Sequence, residues 1–129
     1  MMSFEQYPEV AADFMNEEHR EFITIVNQLE QSLKQGEFVE TELAQLIEHV
    51  KAHFAHEEQE MLASGFPPYT VHKSEHERVI VLFEQQQGHY LEAKDNQSLL
   101  IFLTTEVPAW FEQHLNTMDT VTARFISMH

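Results

Sequence analysis

Three glycines and four prolines punctuate the 129 residues of this chain, and they fall mostly between long amphipathic stretches. A chain so rarely interrupted can carry apolar residues at helical spacing over several consecutive turns. Phe22, Ile23, Val26, Leu29 and Leu33 form the first such stripe, in a helix predicted over roughly 16–35. Asn16 reads as its N-cap, with Glu17 and Glu18 in the first turn, where the helix dipole favours acids, and Gly36 ends it. Leu43, Leu46, Ile47, Val50, Phe54 and Met61 mark a second helix over about 41–63, closed by Gly65, Pro67 and Pro68. A third runs from about 69 to 93, with Val79, Ile80 and Phe83 inside. Asp95 or Asn96 caps a fourth, which carries Leu99, Leu100, Leu103, Val107, Trp110 and Phe111. Pro108 lies within it and is expected to bend it, because its ring removes one hydrogen bond.

Four amphipathic helices with short connections define an all-α fold class, an antiparallel up-down-up-down four-helix bundle. A loose N-terminal arm to about Met15 and a short C-terminal helical segment over 120–129 complete it. The length suits one domain with a single core, spanning 1–129. Hydrophobic content of 43% separates the chain from disordered sequences. It has no apolar run long enough to span a bilayer, so no membrane association is expected. The N-terminus lacks a secretory pattern, and a cytoplasmic location is expected. The absence of cysteine excludes disulfides, thiolate zinc sites and thiol catalysis.

Net charge is −15, which repels a phosphate backbone and argues against nucleic-acid binding, while helping to gather cations. Nine histidines are the more unusual feature, because histidine is the commonest protein ligand for transition metals. Each residue turns a helix by about 100°, so helical phase sorts them. In "HFAHEEQEM" at 53–61, His53 and Glu57 lie one turn apart on the apolar stripe. His49, His56 and Glu60 face water or a boundary, and Glu58 sits at the stripe's edge. His19 continues the line of Ile23 and Val26, His72 and His76 lead toward Val79 and Phe83, and His114 lies one turn beyond Trp110. Each helix therefore offers at least one inward histidine. A lone inward histidine is most often a hydrogen-bonded core residue, but a buried carboxylate needs a cation or a proton. Five histidines and Glu57 converging on one core point to metal.

The spacing resembles that of the hemerythrins, and more closely of their single-domain bacterial members. The resemblance covers about 16–119 and rests on "NEEHREF", "HFAHEE", "HKSEH" and "WFEQHLNTMD", with the Phe66–Pro67 turn before His72. It implies a non-haem di-iron site with an oxo or hydroxo bridge. His72, His76 and His114 would hold one iron, and His19 and His53 the other, which keeps one position open for end-on dioxygen. Glu57 and Asp119 would bridge the pair. Asp119 is five residues after His114, about 140° away in a regular helix, so both reach one centre only if the helix ends, bends or widens there. Asn16, Glu18 and Phe66 depart from the family's common residues, a tryptophan usual near the N-terminus of bacterial members is absent, and Pro108 is not a family feature.

The expected function is reversible dioxygen binding for storage, delivery or sensing, by a monomer and without enzymatic turnover. Carboxylate-rich di-iron enzymes use paired Glu-x-x-His motifs, and none occurs here. Five imidazoles and two carboxylates fill most positions and favour holding a diatomic ligand. "HEEQE" also misses the zinc-protease pattern, because position 60 is Glu60. Ile23, Phe54, Trp110 and Leu115 are candidates for an apolar pocket over the open iron. The alternatives are a di-iron peroxidase or nitric-oxide-handling enzyme on the same scaffold, and a metal-storage or binding module.

Overall fold

The computed structural model describes residues 2–129. Helices α1 (Asp13–Lys34), α2 (Glu40–Ser64) and α3 (Tyr69–Ala93) are the first three rods. The fourth is composite: α4 (Asn96–Ile101), α5 (Val107–His114) and α6 (Thr120–Met128) are joined by five-residue π-turns, Phe102–Glu106 and Leu115–Asp119. Helical backbone angles run through both joints, so the C-terminal segment continues the fourth rod. Neighbours in sequence are neighbours in space, α1 on α2 and α2 on α3, and the fourth rod closes the bundle against α1 and α3. This is the four-helix bundle that the apolar stripes predict.

The stripes form the core. Val26, Leu29, Leu43, Leu46, Val79, Leu99 and Leu103 are all at most 2% exposed, and burying each such side chain stabilises the fold by about 1.5–3 kcal/mol. The ends are set by local chemistry. Gly36, at φ 80°, lets the Glu37 N–H reach back to the Ser32 carbonyl at 3.0 Å, and Gly65, at φ 73°, does the same for Phe66 and Met61 at 2.9 Å. Asp95 caps α4, its carboxylate accepting from the Ser98 N–H at 3.1 Å.

Two sequence expectations are corrected at the N-terminus. The arm is not loose, and Asn16 is not an N-cap. Helix α1 begins three residues earlier, after Ala12, with Asp13 in its first turn. Asn16 is buried within it and spends its amide on the arm, accepting from the Val10 N–H at 2.9 Å and donating to the Val10 carbonyl at 2.8 Å. Asn27 pins Met2 in the same two-way manner, at 3.0 and 2.7 Å. Tyr7 then packs edge-on against Phe111, ring centres 4.9 Å apart. Pro108 is absorbed by a widened turn. The π-turn just before it sends the Val107 N–H to the Phe102 carbonyl, and α5 continues through the ring.

Candidate metal centre

The four rods bring all seven sequence-predicted ligand residues together. His19 comes from α1, His53 and Glu57 from α2, His72 and His76 from α3, His114 from α5, and Asp119 from the second π-turn. Glu57, His76 and Asp119 are at most 1% exposed, so the charged groups of the centre are out of water.

The two carboxylates organise it. Glu57 turns Oε2 to His53 Nε2 at 2.9 Å, and Oε1 to His76 Nε2 at 3.0 Å and His72 Nε2 at 3.6 Å. Asp119 turns Oδ2 to His19 Nε2 at 3.2 Å, and Oδ1 to His114 Nε2 at 3.1 Å and His72 Nε2 at 3.3 Å. Each carboxylate thus offers one oxygen to the pair His19 and His53, and the other to the trio His72, His76 and His114. Glu57 belongs to both groups of potential metal-binding atoms, one with His19 and His53, the other with His72, His76 and His114, with atoms within 4.8 Å of one another in each.

These close approaches are mostly not hydrogen bonds. His19 Nε2, His76 Nε2, both Glu57 oxygens and Asp119 Oδ1 are buried and have no hydrogen-bond partner. Buried polar groups are rarely left so. Nitrogen and oxygen lone pairs that crowd together without pairing converge on positions between the side chains, and a cation there satisfies them all. The donor set, imidazole with carboxylate, suits a divalent first-row transition metal.

The electrostatics agree. Burial and the Asp119 charge both resist ionisation of Glu57, yet His53 and His76 hold its carboxyl down to about 2. Burial likewise opposes charge on Asp119, and His114, His19 and His72 outweigh it, keeping the group well below the usual carboxylate range. Burial works against charge on His53 too, but Glu57 and Glu18 raise it to about 10. His114 is raised, its burial overcome chiefly by Asp119. Two buried carboxylates demand positive charge, which protons or metal can supply.

Around the centre, outward Nδ1 atoms find partners that helical phase did not identify. His72 donates to the Thr122 hydroxyl at 2.8 Å, and His76 to Glu58 at 3.0 Å. His53 donates to Glu18 at 2.6 Å. Such partners fix ring orientation and raise ligand basicity. Glu58, at the stripe's edge, is therefore an outer acceptor. His56 stays outside the centre, as its phase predicts, and Glu60 is half-buried at the boundary.

A small cavity of about 10 Å³ touches His19, His53, His114 and Asp119 of the centre and is otherwise walled by Phe22, His49, Val50, Phe54, Trp110 and Phe111. Two of the four predicted lining residues are there. Ile23 and Leu115 are buried elsewhere in the core, and Phe22 and Phe111 line the cavity instead. Phe111 sits edge-on to His19, ring centres 5.3 Å apart. A volume of this size is at the limit for one water-sized molecule.

Fold and site together define a four-helix-bundle metal protein with a buried histidine–carboxylate centre. Residues 10–126 match the Hemerythrin HHE cation binding domain. The chain is 32% identical over 109 residues to the bacteriohemerythrin of Ralstonia nicotianae, covering 84% of this chain and 77% of that one. It is 29% identical over 113 residues to the bacteriohemerythrin of Aquifex aeolicus, covering 86% of each. The fold superimposes on a crystal structure of wild-type hemerythrin with a TM-score of 0.85 at 24% identity, covering 98% of both chains. The chain belongs to the hemerythrin family. Hemerythrins bind dioxygen reversibly at non-haem iron and are binding proteins, not enzymes, and oxygen binding is the activity that fold and family support here. Among the described residues, no helix is long and apolar enough to cross a membrane.

Proposed function

We propose that this chain, read as one hemerythrin domain over 1–129, binds dioxygen reversibly at two iron ions. His72, His76 and His114 would hold one and His19 and His53 the other, with Glu57 and Asp119 shared. The observation that carries this reading is the division of each carboxylate, one oxygen toward each histidine group. A single-metal site gives no reason for two carboxylates to straddle in parallel. When bound, the iron pair supplies the two electrons that dioxygen binding requires.

The protein supplies the rest. Three histidines on one side and two on the other leave the His19 and His53 side with fewer ligands. The cavity reaches His19 and His53 as well as His114 and Asp119, and its small volume favours a diatomic ligand over a larger substrate. Phe22, Phe54, Trp110 and Phe111 keep water from the site, and Tyr7 covers Phe111 from outside. These aromatic walls would exclude the water and protons that promote irreversible oxidation of the bound metal.

The test is anaerobic reconstitution with ferrous iron, then exposure to oxygen. A visible charge-transfer band should appear in oxygen and bleach when oxygen is removed, over repeated cycles. A spectrum unmoved by oxygen, or one that never bleaches, contradicts the reading.

A further inference from the structure

Among the described residues, Glu18 is the one carboxylate outside the centre that receives two imidazoles. Its Oε1 accepts from His53 Nδ1 and its Oε2 from His56 Nδ1, both at 2.6 Å. His53 and His56 are three residues apart on α2, so their rings lie on adjacent parts of one face. Glu18 lies on α1, immediately before His19. The carboxylate therefore spans α1 and α2 at the level of the cavity.

The consequences for His53 are geometric. With Nδ1–H donated to Glu18, Nε2 is fixed toward the centre, where it lies 2.9 Å from Glu57 Oε2. His56 holds Glu18 in turn. A glutamate side chain 20% exposed has water available to it and loses rotamer freedom when fixed, so one hydrogen bond holds it loosely. The second oxygen is taken by His56, whose ring lies against Phe14 at 4.2 Å. Both carboxylate oxygens are thereby held, and the group cannot swing into solvent without breaking two charge-assisted bonds.

We propose that Glu18 is the positioning residue for His53 and that His56 is its clamp, so that this outer pair secures the metal on the His19 and His53 side of the centre. The inference rests on the two-metal reading above. His56 is then neither a ligand nor a bystander. On the other side His72 draws on Thr122 and His76 on Glu58, and none of the trio touches Glu18, so loss of Glu18 should act on one metal and spare the other.

The experiment compares wild type, Glu18→Ala, Glu18→Gln and His56→Ala, each loaded with ferrous iron and titrated with a chelator. Wild type should release its two irons at high chelator. Glu18→Ala should give up one iron at about 10–100-fold lower chelator and keep the other, with His56→Ala intermediate. The zinc-loaded proteins add a spectroscopic readout, the His53 Nδ1–H proton resonance, which should vanish in Glu18→Ala. In Glu18→Gln, of the same shape, it should move upfield because a neutral acceptor makes a weaker bond. Matching chelator curves for wild type and Glu18→Ala overturn the proposal. If Glu18→Ala does not fold, an unmoved resonance in Glu18→Gln overturns it. A wild type holding fewer than two irons overturns the two-metal reading itself, and with it the inference.

Discussion

His114 Nε2 lies 3.1 Å from Asp119 Oδ1, although the two are five residues apart along one rod. In a regular α-helix they would point about 140° apart. The π-turn Leu115–Asp119 closes that angle, with the Thr120 backbone N–H bonded to the Leu115 carbonyl and the Thr120 hydroxyl donating to it at 2.8 Å. The widened turn absorbs the fifth residue and so keeps Asp119 in the centre.

That geometry makes a prediction. Thr117 is exposed and lies inside the π-turn, so deleting it removes no core side chain. The deletion should restore regular helix and leave His114 and Asp119 at i,i+4 spacing, about 40° apart and on one face. Iron content should stay near the wild-type level, whereas Asp119→Ala should lose it. A deletion variant that loses iron as fully as Asp119→Ala contradicts the assigned role of the turn.

The acid–base chemistry gives a second. In the metal-free protein, His53 is raised from 6.5 to about 10. Its stabilisation is complete below 6.5 and is lost as pH rises through about 10. Glu57 is lowered from 4.5 to about 2, so its stabilisation is present above 4.5 and is lost as pH falls through about 2. Metal requires neutral imidazole, so binding expels the His53 proton and tightens with rising pH. The difference in Tm between metal-loaded and metal-free protein should therefore widen as pH rises toward about 10 and level off above it. A constant difference across that range contradicts this picture.

A third concerns the cavity wall. Phe111 stacks on Phe22 at 5.4 Å and lies edge-on to His19 and Tyr7. Phe111→Ala should cost about 3–5 kcal/mol in folding stability and open the site to water. Its oxygen-bound form should decay faster than wild type, as followed by stopped-flow absorbance. Equal decay rates contradict the assigned function of the wall.

A fourth isolates an outer acceptor. Thr122→Val keeps the shape but removes the hydroxyl that accepts from His72 at 2.8 Å. Metal affinity should weaken by about 10–100-fold, with a stability loss of about 1–3 kcal/mol from the unpaired ring N–H. Chelator competition and chemical denaturation measure the two. Wild-type affinity in this variant contradicts a supporting role for Thr122.

Helical phase was enough to turn His19, His53, Glu57, His72, His76 and His114 inward, because each helix's own stripe fixes its own orientation. Asp119 was legible as a problem: its five-residue offset required a widened or broken helix, and a π-turn is what stands there. The remaining features depend on how helices sit against one another, which no single stripe encodes. Glu18 meets His53 across 35 residues, and the α1–α2 rotation decides that meeting. Ile23 was expected in the cavity wall and Phe22 is there. The two adjacent residues lie about 100° apart on a helix, and an apolar stripe is at least that wide, so phase cannot choose between them. Asn16 has the residue type of an N-cap, but its amide is committed to Val10 in a tertiary contact, and the helix start moves accordingly.

The central claim is that Glu57 and Asp119 each reach two metals. An anomalous difference map at the iron edge, from crystals of the iron-loaded protein, tests it most directly. Two peaks are expected, one against His19 and His53 and one against His72, His76 and His114, with both carboxylates between them. A single peak, or a second one at His49 or His56 outside the centre, contradicts the account.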